Sequence, residues 1–117
     1  MTVRMQLGQD AESLVAAELA RRGYSLVVRN FRERWGELDL VMRNATELVV
    51  VEVRSRCCDD PDDPADSLSP AKRAKVRLTA QRYLDQRPVD YREVRIHAAL
   101  VTWEAQGPRI TLIEDAF

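Results

Sequence analysis

The stretch of sequence that decides the fold is Leu48-Val49-Val50-Val51-Glu52-Val53-Arg54. Its valine-rich and nearly continuous apolar character predicts a strand that is buried on both faces of a sheet. Glu52 lies near the end of this strand, and burying an unpaired charge costs roughly several kcal/mol. Side chains alternate along a strand, so Glu52 and Arg54 share one face. Arg54 could therefore neutralise Glu52, and a simple structural ion pair is one interpretation of the pattern.

A second predicted strand runs from Leu38 to Met42 and is entered past Gly36. The short polar link Asn44-Ala45-Thr46-Glu47 joins it to the valine-rich strand, which favours an antiparallel hairpin. The hairpin brings the polar residues of the two strands together.

Two carboxylates meet in this hairpin, because a four-residue link places Asp39 opposite Glu52 and Glu37 opposite Arg54. Like charges at such a distance are unfavourable unless a proton or a cation intervenes. Mg²⁺ takes hard oxygen ligands and keeps several waters, so the pair predicts a site for Mg²⁺ or Mn²⁺. The same residues are also compatible with a surface ion-pair ladder.

The remaining elements complete the topology α-β-β-β-α-β-β. Apolar residues at helical spacing predict a first helix over Leu7–Arg22, ended by Gly23. Ser69-Pro70 opens a second helix that runs to about Leu84, since serine suits the N-cap and proline the first position. The other predicted strands are Tyr24–Val28, Val94–Trp103 and Arg109–Ile113.

This order predicts one α/β domain over residues 1–117, with a mixed β-sheet and helices packed on it. The third strand, the second helix and the fourth strand form a β-α-β unit, which favours parallel pairing and a right-handed connection. A chain of 117 residues is long enough for one compact domain and too short for two.

Composition points to an ordered, non-membrane protein, with 45% hydrophobic and 32% charged residues. The apolar runs are too short to cross a bilayer, and the N-terminal residues lack the apolar stretch of a secretory signal. We therefore expect a soluble cytoplasmic protein without a membrane partner. The adjacent Cys57 and Cys58 cannot link distant segments, and they supply at best half of a structural zinc site.

The net charge of -1 hides a strong local asymmetry. An acidic segment over residues 59–66 has little to bury, which predicts a mobile loop. A basic helix follows it, and its cations could either contact nucleic-acid phosphates or form an ordinary solvated face. These cations are Lys72, Arg73, Lys75, Arg77, Arg82 and Arg87.

Taken in order, several short motifs resemble those of the small bacterial YraN family over nearly the whole chain. They are Gly8-x-x-x-Glu12, Gly23-Tyr24, Arg29-Asn30, Gly36-Glu37-Leu38-Asp39-Leu40, Val51-Glu52-Val53-Arg54-Ser55-Arg56, Lys72, Tyr83-Leu84 and Asp115-Ala116-Phe117. That family in turn resembles the archaeal Holliday junction resolvases and the wider PD-(D/E)XK nuclease superfamily.

The resemblance implies a restriction-endonuclease-like fold and a DNA substrate, with a homodimer by analogy with the resolvases. It implies Asp39 as the motif aspartate and Glu52 as the second metal ligand. It also implies Arg54 at the position of a lysine and Glu12 as a helix carboxylate. From the residues alone, a solvated Glu12 is the simpler interpretation.

Two positions depart from the pattern of that family. Arg54 stands in place of a lysine thought to position or activate the attacking water, and arginine is a poor proton acceptor. His97, the only histidine, stands in place of an aspartate of the fourth strand. His97 is interpreted as a core residue, with a catalytic role as the alternative.

Three functions remain compatible with the sequence. The first is a Mg²⁺-dependent nuclease acting on DNA, with branched or damaged structures as its substrates. The second is a nucleic-acid-binding module with a degraded site, in which Arg54, Arg56, Lys72, Arg73 and Lys75 contact phosphates. The third is a protein-interaction domain in which the acidic and basic side chains form only a structural network.

Overall fold

The fold was analysed in a computed structural model that describes residues 3–57, 69–87 and 93–117. The α/β class, the mixed sheet and the order α-β-β-β-α-β-β are confirmed. The predicted mobile loop at 59–66 lies outside the described residues, as does Cys58. The elements are α1 (Val3–Arg21), β1 (Ser25–Glu33), β2 (Gly36–Arg43), β3 (Glu47–Cys57), α2 (Pro70–Gln86), β4 (Glu93–Glu104) and β5 (Gly107–Ile113).

The end of α1 and the start of α2 are confirmed, whereas α1 begins at Val3 instead of Leu7 and α2 continues to Gln86 instead of Leu84. Gly23 adopts a left-handed φ of 95° after α1, and its N–H donates to the carbonyl of Ala20 over 3.1 Å, a conformation that glycine adopts without a steric penalty. Ser69 caps α2 by accepting a hydrogen bond from the N–H of Lys72 over 3.3 Å. Within the described ranges, neither helix combines the length and the apolarity needed to cross a bilayer.

The five strands are ordered β1-β2-β3-β4-β5 in one sheet. β3 and β4 are parallel and connected through α2, whereas the other neighbouring strands are antiparallel. Asn44 organises the β2–β3 turn, since its side-chain oxygen accepts hydrogen bonds from the N–H groups of Thr46 and Glu47. The predicted hairpin and the predicted parallel pair are both confirmed.

The two helices cover opposite faces of the sheet. Val49 and Val51 of β3 pack in the cluster of α1, whereas Leu48 and Val50 pack in the cluster of α2. All four valine and leucine side chains are at most 1% exposed, which confirms that β3 is buried on both faces. The α1 cluster contains Ala11, Val15, Leu19, Leu40, Met42, Val49, Val51, Ala99 and Val101, and the α2 cluster contains Phe31, Leu38, Val41, Leu48, Val50, Ala80 and Tyr83.

The first strand is longer than predicted, since it continues from Val28 to Glu33 and forms a tight hairpin with β2. This part of β1 is rich in charged residues and mostly exposed, because β1 lies at the edge of the sheet. An edge strand has no second neighbour and carries little apolar periodicity, so the sequence pattern did not reveal it.

Strict alternation of side chains fails at one place in β2. Leu38 belongs to the α2 cluster and Leu40 to the α1 cluster, although residues two apart in a regular strand share a face. The predicted placement of Glu37 opposite Arg54 is therefore wrong, because regular pairing of β2 with β3 ends at Leu40 and Val51 and the side chains of β2 change face between Leu38 and Leu40. The change of face falls at Asp39, which belongs to the candidate site.

Candidate functional site

Asp39 lies where β2 separates from β3. Regular pairing of the two strands ends at Leu40 and Val51, while β3 continues to Cys57 beside β4. The main-chain N–H of Val53 consequently has no regular β2 pairing partner, and it donates a hydrogen bond of 2.8 Å to Oδ2 of Asp39. A carboxylate takes the place of a strand carbonyl, which orients the Asp39 side chain along the end of the sheet.

Glu52 lies beside Asp39 and is only 6% exposed. Its Oε1 atom is buried and has no hydrogen-bond partner among the residues that the structure describes. Burial is the main cause that raises the pKa of Glu52 to about 8, and the charge of Asp39 adds to it. The guanidinium of Arg54 approaches Oε2 of Glu52 only to 4.0 Å, which is a weak contact. The predicted convergence of the two carboxylates is therefore present, together with Arg54.

The carboxylates open onto a cavity of about 480 Å³ between the end of the sheet and α2. Its wall combines the acidic pair with cations from three elements, since Lys72 and Lys75 belong to α2, Arg54 to β3 and Arg34 to the β1–β2 turn. The lining residues are Glu33, Arg34, Gly36, Glu37, Asp39, Glu52, Arg54, Lys72, Lys75, Val76 and Thr79. An acidic centre with a basic rim can accommodate a cation and an anionic ligand together.

Gly36 sets the position of α2 over this cavity. A Cβ at residue 36 would overlap the side chain of Thr79, so only glycine permits this approach of β2 to α2. Thr79 is fixed in turn, because its hydroxyl donates to the carbonyl of Lys75 over 2.7 Å. The close contact keeps Lys72 and Lys75 on the cavity side of the helix.

Glu12 reaches the same end of the sheet from α1. Its carboxylate accepts a hydrogen bond of 3.2 Å from Arg29, which also donates to Ser13 over 2.7 Å. Burial raises the pKa of Glu12, and the negative charge of Asp39 raises it further. Across the part of the chain that the structure describes, no three acidic, histidine or cysteine side chains form a group that could hold a metal ion. Glu12 therefore lies close enough to Asp39 for their charges to interact, but it does not form a three-ligand cluster with the acidic pair.

The remaining predicted residues are distributed more widely. Arg56 and Arg73 do not line the cavity, although Arg73 lies on α2 beside Lys72. His97 is 3% exposed and also lies outside the cavity lining. Its Nδ1 accepts a hydrogen bond of 2.9 Å from the N–H of Asp115, as expected of a satisfied core histidine.

Arg34 and Asn30 had no role predicted from the sequence. Arg34 lines the cavity because the β1–β2 hairpin brings it there, and that hairpin was hidden by the polar character of the edge strand. Asn30 has a left-handed φ of 55°. The residue type alone could have indicated this conformation in the sequence, because asparagine tolerates it better than most residues do.

Comparison with known proteins identifies the family of the chain. The model of a family described as "Uncharacterised protein family UPF0102" matches residues 11–111. A UPF0102 protein of Syntrophus aciditrophicus is 33% identical over 117 residues, which cover all of this chain and 92% of the relative. A UPF0102 protein of Clavibacter michiganensis is 36% identical over 99% of both chains, and one of Methylobacillus flagellatus is 38% identical over 96% of both. The motif-based assignment to a YraN-like family is thereby confirmed, and the chain belongs to the UPF0102 family.

Proposed function

We propose that this protein is a nuclease that depends on Mg²⁺ or Mn²⁺ and hydrolyses phosphodiester bonds of DNA. The observation that carries the proposal is the buried carboxyl group of Glu52, which lies against Asp39 and whose Oε1 has no hydrogen-bond partner in the described part of the chain. A protein gains no stability from two adjacent acidic groups and an unsatisfied buried oxygen. A function that uses those oxygens accounts for the arrangement.

The donor set fits a hard divalent cation. Asp39 and Glu52 would hold the ion through carboxylate oxygens, and the open cavity leaves room for water ligands. Mg²⁺ is commonly held by only one or two protein carboxylates, with water and substrate phosphate completing its coordination. When bound, such an ion supplies a positive charge that polarises the scissile phosphate and acidifies a coordinated water.

The residues around Asp39 and Glu52 have distinct roles in the proposed reaction. The N–H of Val53 orients Asp39 through its hydrogen bond. Lys72 and Lys75 line the same cavity and would bind the phosphate backbone on either side of the cleaved bond. Arg54 would stabilise negative charge on the phosphate, since its guanidinium remains protonated and does not act as a base.

A second candidate is a DNA-binding module whose nuclease site has lost its activity. The position of Arg54 favours it, because a permanent cation 4.0 Å from Glu52 competes with a metal ion for the same carboxylate. In that case the basic rim would still bind DNA, whereas cleavage would be absent with any divalent ion.

The structural-network alternative has less support. A network that only stabilises a fold satisfies its buried polar groups, whereas Oε1 of Glu52 has no hydrogen-bond partner among the described residues. The homodimer implied by the resemblance to resolvases stays a prediction.

Two assays on the purified chain separate these functions. The first follows cleavage of linear, flapped and four-way DNA with Mg²⁺, with Mn²⁺ and with a chelator. The second measures DNA binding as a function of salt concentration. The nuclease proposal predicts cleavage that needs the metal ion, and binding without cleavage would support the degraded site. Absence of both activities would favour a protein-interaction domain.

A further inference from the structure

Asn30 has an unusual backbone conformation for a residue inside a strand. Its φ is 55°, whereas regular strands have strongly negative values. Asparagine is one of the few residues other than glycine that adopts the left-handed region readily. Such a residue interrupts the regular geometry of β1.

The interruption reverses the faces of the flanking side chains. Arg29 hydrogen-bonds to Glu12 and Ser13 of α1. Phe31 packs against Tyr83 of α2, with ring centroids 4.9 Å apart. Residues two apart in a regular strand point to the same face, so the strand changes its phase at Asn30.

The neighbouring strand shows the same reversal directly across the ladder. The β1–β2 pairs include Arg29 with Leu40 and Phe31 with Leu38, and Asn30 with Asp39 is missing between them. The phase change of β2 falls between Leu38 and Leu40, on the two sides of Asp39. The distortion of β1 is therefore matched at the residue whose carboxylate binds the N–H of Val53.

The side chain of Asn30 interacts with Glu12 of α1. It lies close enough to the carboxylate of Glu12 to lower the pKa of that group, and Arg29 donates a hydrogen bond to the same carboxylate. One acidic residue of α1 thus contacts two successive residues of β1 at the bend.

We propose that Asn30 is a positioning residue for the candidate site: its left-handed conformation bends β1 and β2 together and thereby directs Asp39 to Val53 and Glu52. This inference rests on the proposed function only in assuming that the site takes a cation. Asn30 itself supplies no ligand and acts through Asp39.

The experiment compares Asn30→Val, Asn30→Ala and Asn30→Gly in the full chain. Valine resists the left-handed region, alanine does so less strongly, and glycine adopts it freely. Amide hydrogen exchange of Val53 is measured in each variant with and without Asp39→Ala. In parallel, Mn²⁺ alone is titrated into each variant that retains Asp39. Replacing a residue that orients a metal ligand typically weakens metal binding about 10- to 100-fold.

In the natural and Asn30→Gly backgrounds, Asp39→Ala is expected to accelerate exchange of Val53 by roughly tenfold or more, because the carboxylate is the acceptor. In the Asn30→Val background, Asp39→Ala should accelerate exchange of Val53 less, because a regular strand ladder would supply a backbone acceptor for the N–H of Val53. Mn²⁺ binding should weaken in the order glycine, alanine, valine. If the Asn30→Val variant does not fold, the Asn30→Ala variant must still bind Mn²⁺ more weakly than Asn30→Gly and show a smaller effect of Asp39→Ala on Val53 exchange.

Two results would overturn the inference. One is an equal effect of Asp39→Ala in all backgrounds together with unchanged Mn²⁺ affinity. The other is an Asn30→Gly variant that loses Mn²⁺ affinity and the Asp39 effect on Val53 exchange as fully as the alanine or valine variant. The left-handed conformation of residue 30 would then not be what positions Asp39. If the natural protein binds no Mn²⁺, the proposed function is contradicted. The exchange of the Val53 amide would still test whether Asn30 positions Asp39.

Discussion

The main-chain N–H of Val53 donates a hydrogen bond to Oδ2 of Asp39 over 2.8 Å. This bond joins two strands at the point where their backbone pairing has ended. A carboxylate held by a main-chain group is fixed before any ligand arrives, which lowers the entropy lost on binding. The same bond leaves Asp39 beside Glu52, and most of the testable consequences of the structure follow from this pair.

Replacing Glu52 with glutamine should stabilise the protein at alkaline pH when no metal ion is present. The pKa of Glu52 is raised to about 8 from an ordinary 4.5, so between these values the folded state holds a proton that the unfolded state has lost. The free energy of unfolding of the natural protein therefore falls as pH rises through this range. Urea unfolding from pH 5 to 9 should show an advantage for Glu52→Gln of about 1–3 kcal/mol at pH 9.

The matched control for that measurement is Glu37→Gln, which removes an exposed carboxylate from the wall of the same cavity. Its stability should follow the pH dependence of the natural protein. If Glu52→Gln gave no advantage at pH 9, the burial of a charged Glu52 would not be destabilising.

Mn²⁺ should bind more tightly as pH rises from 6 to 8, because the ion has to displace the proton of Glu52. One displaced proton corresponds to at most about a tenfold gain in affinity per pH unit. Calorimetric titrations in buffers of different ionisation enthalpy would reveal the proton release. Asp39→Asn and Glu52→Gln should each abolish tight binding, and a pH-independent affinity would contradict the assigned ligands.

Replacing Lys72 and Lys75 with alanine should weaken DNA binding and make it less dependent on salt. Each lost phosphate contact reduces the magnitude of the negative slope of log affinity against log salt by about 0.9. The slope of the double variant should therefore be smaller in magnitude by at most about 1.8. Arg73 and Arg77 lie on the same helix but do not line the cavity, and their double alanine variant is the matched control. Equal losses in the two variants would mean that the cavity does not define the DNA path.

Arg54→Lys should preserve or increase cleavage. Lysine keeps the positive charge at the cavity wall, and its amine can also exchange a proton, which arginine does not readily do. Rates of metal-dependent cleavage by both proteins, measured on the same DNA, test this expectation. A loss of activity with lysine would show that the guanidinium geometry itself is required.

The elements defined by local chemistry could be predicted from the sequence. Gly23 ends α1, Ser69 caps α2, and the apolar β3 lies at the centre of the sheet. The hairpin register also followed from the short turn after Asn44, and it led correctly to the proximity of Asp39 and Glu52.

The features that were missed depend on contacts between distant residues. The bend at Asn30 involves Glu12 on another element, and the bond from Val53 to Asp39 replaces a ladder interaction. Periodicity describes regular strands, so it has no means of indicating where a strand leaves its partner. Arg34 was missed for a related reason, since the edge strand that carries it to the cavity has little apolar pattern.

The central claim is that Asp39 and Glu52 form the metal site of a nuclease, and cleavage by Asp39→Asn tests it most directly. The natural protein, Asp39→Asn and Glu37→Gln are incubated with linear, flapped and four-way DNA in the presence of Mg²⁺ or Mn²⁺. Removing a charged metal ligand should abolish metal-dependent cleavage, so we predict that the natural protein and Glu37→Gln cut DNA while Asp39→Asn does not. Undiminished cleavage by Asp39→Asn, or no cleavage by the natural protein on any of the substrates, would contradict the claim.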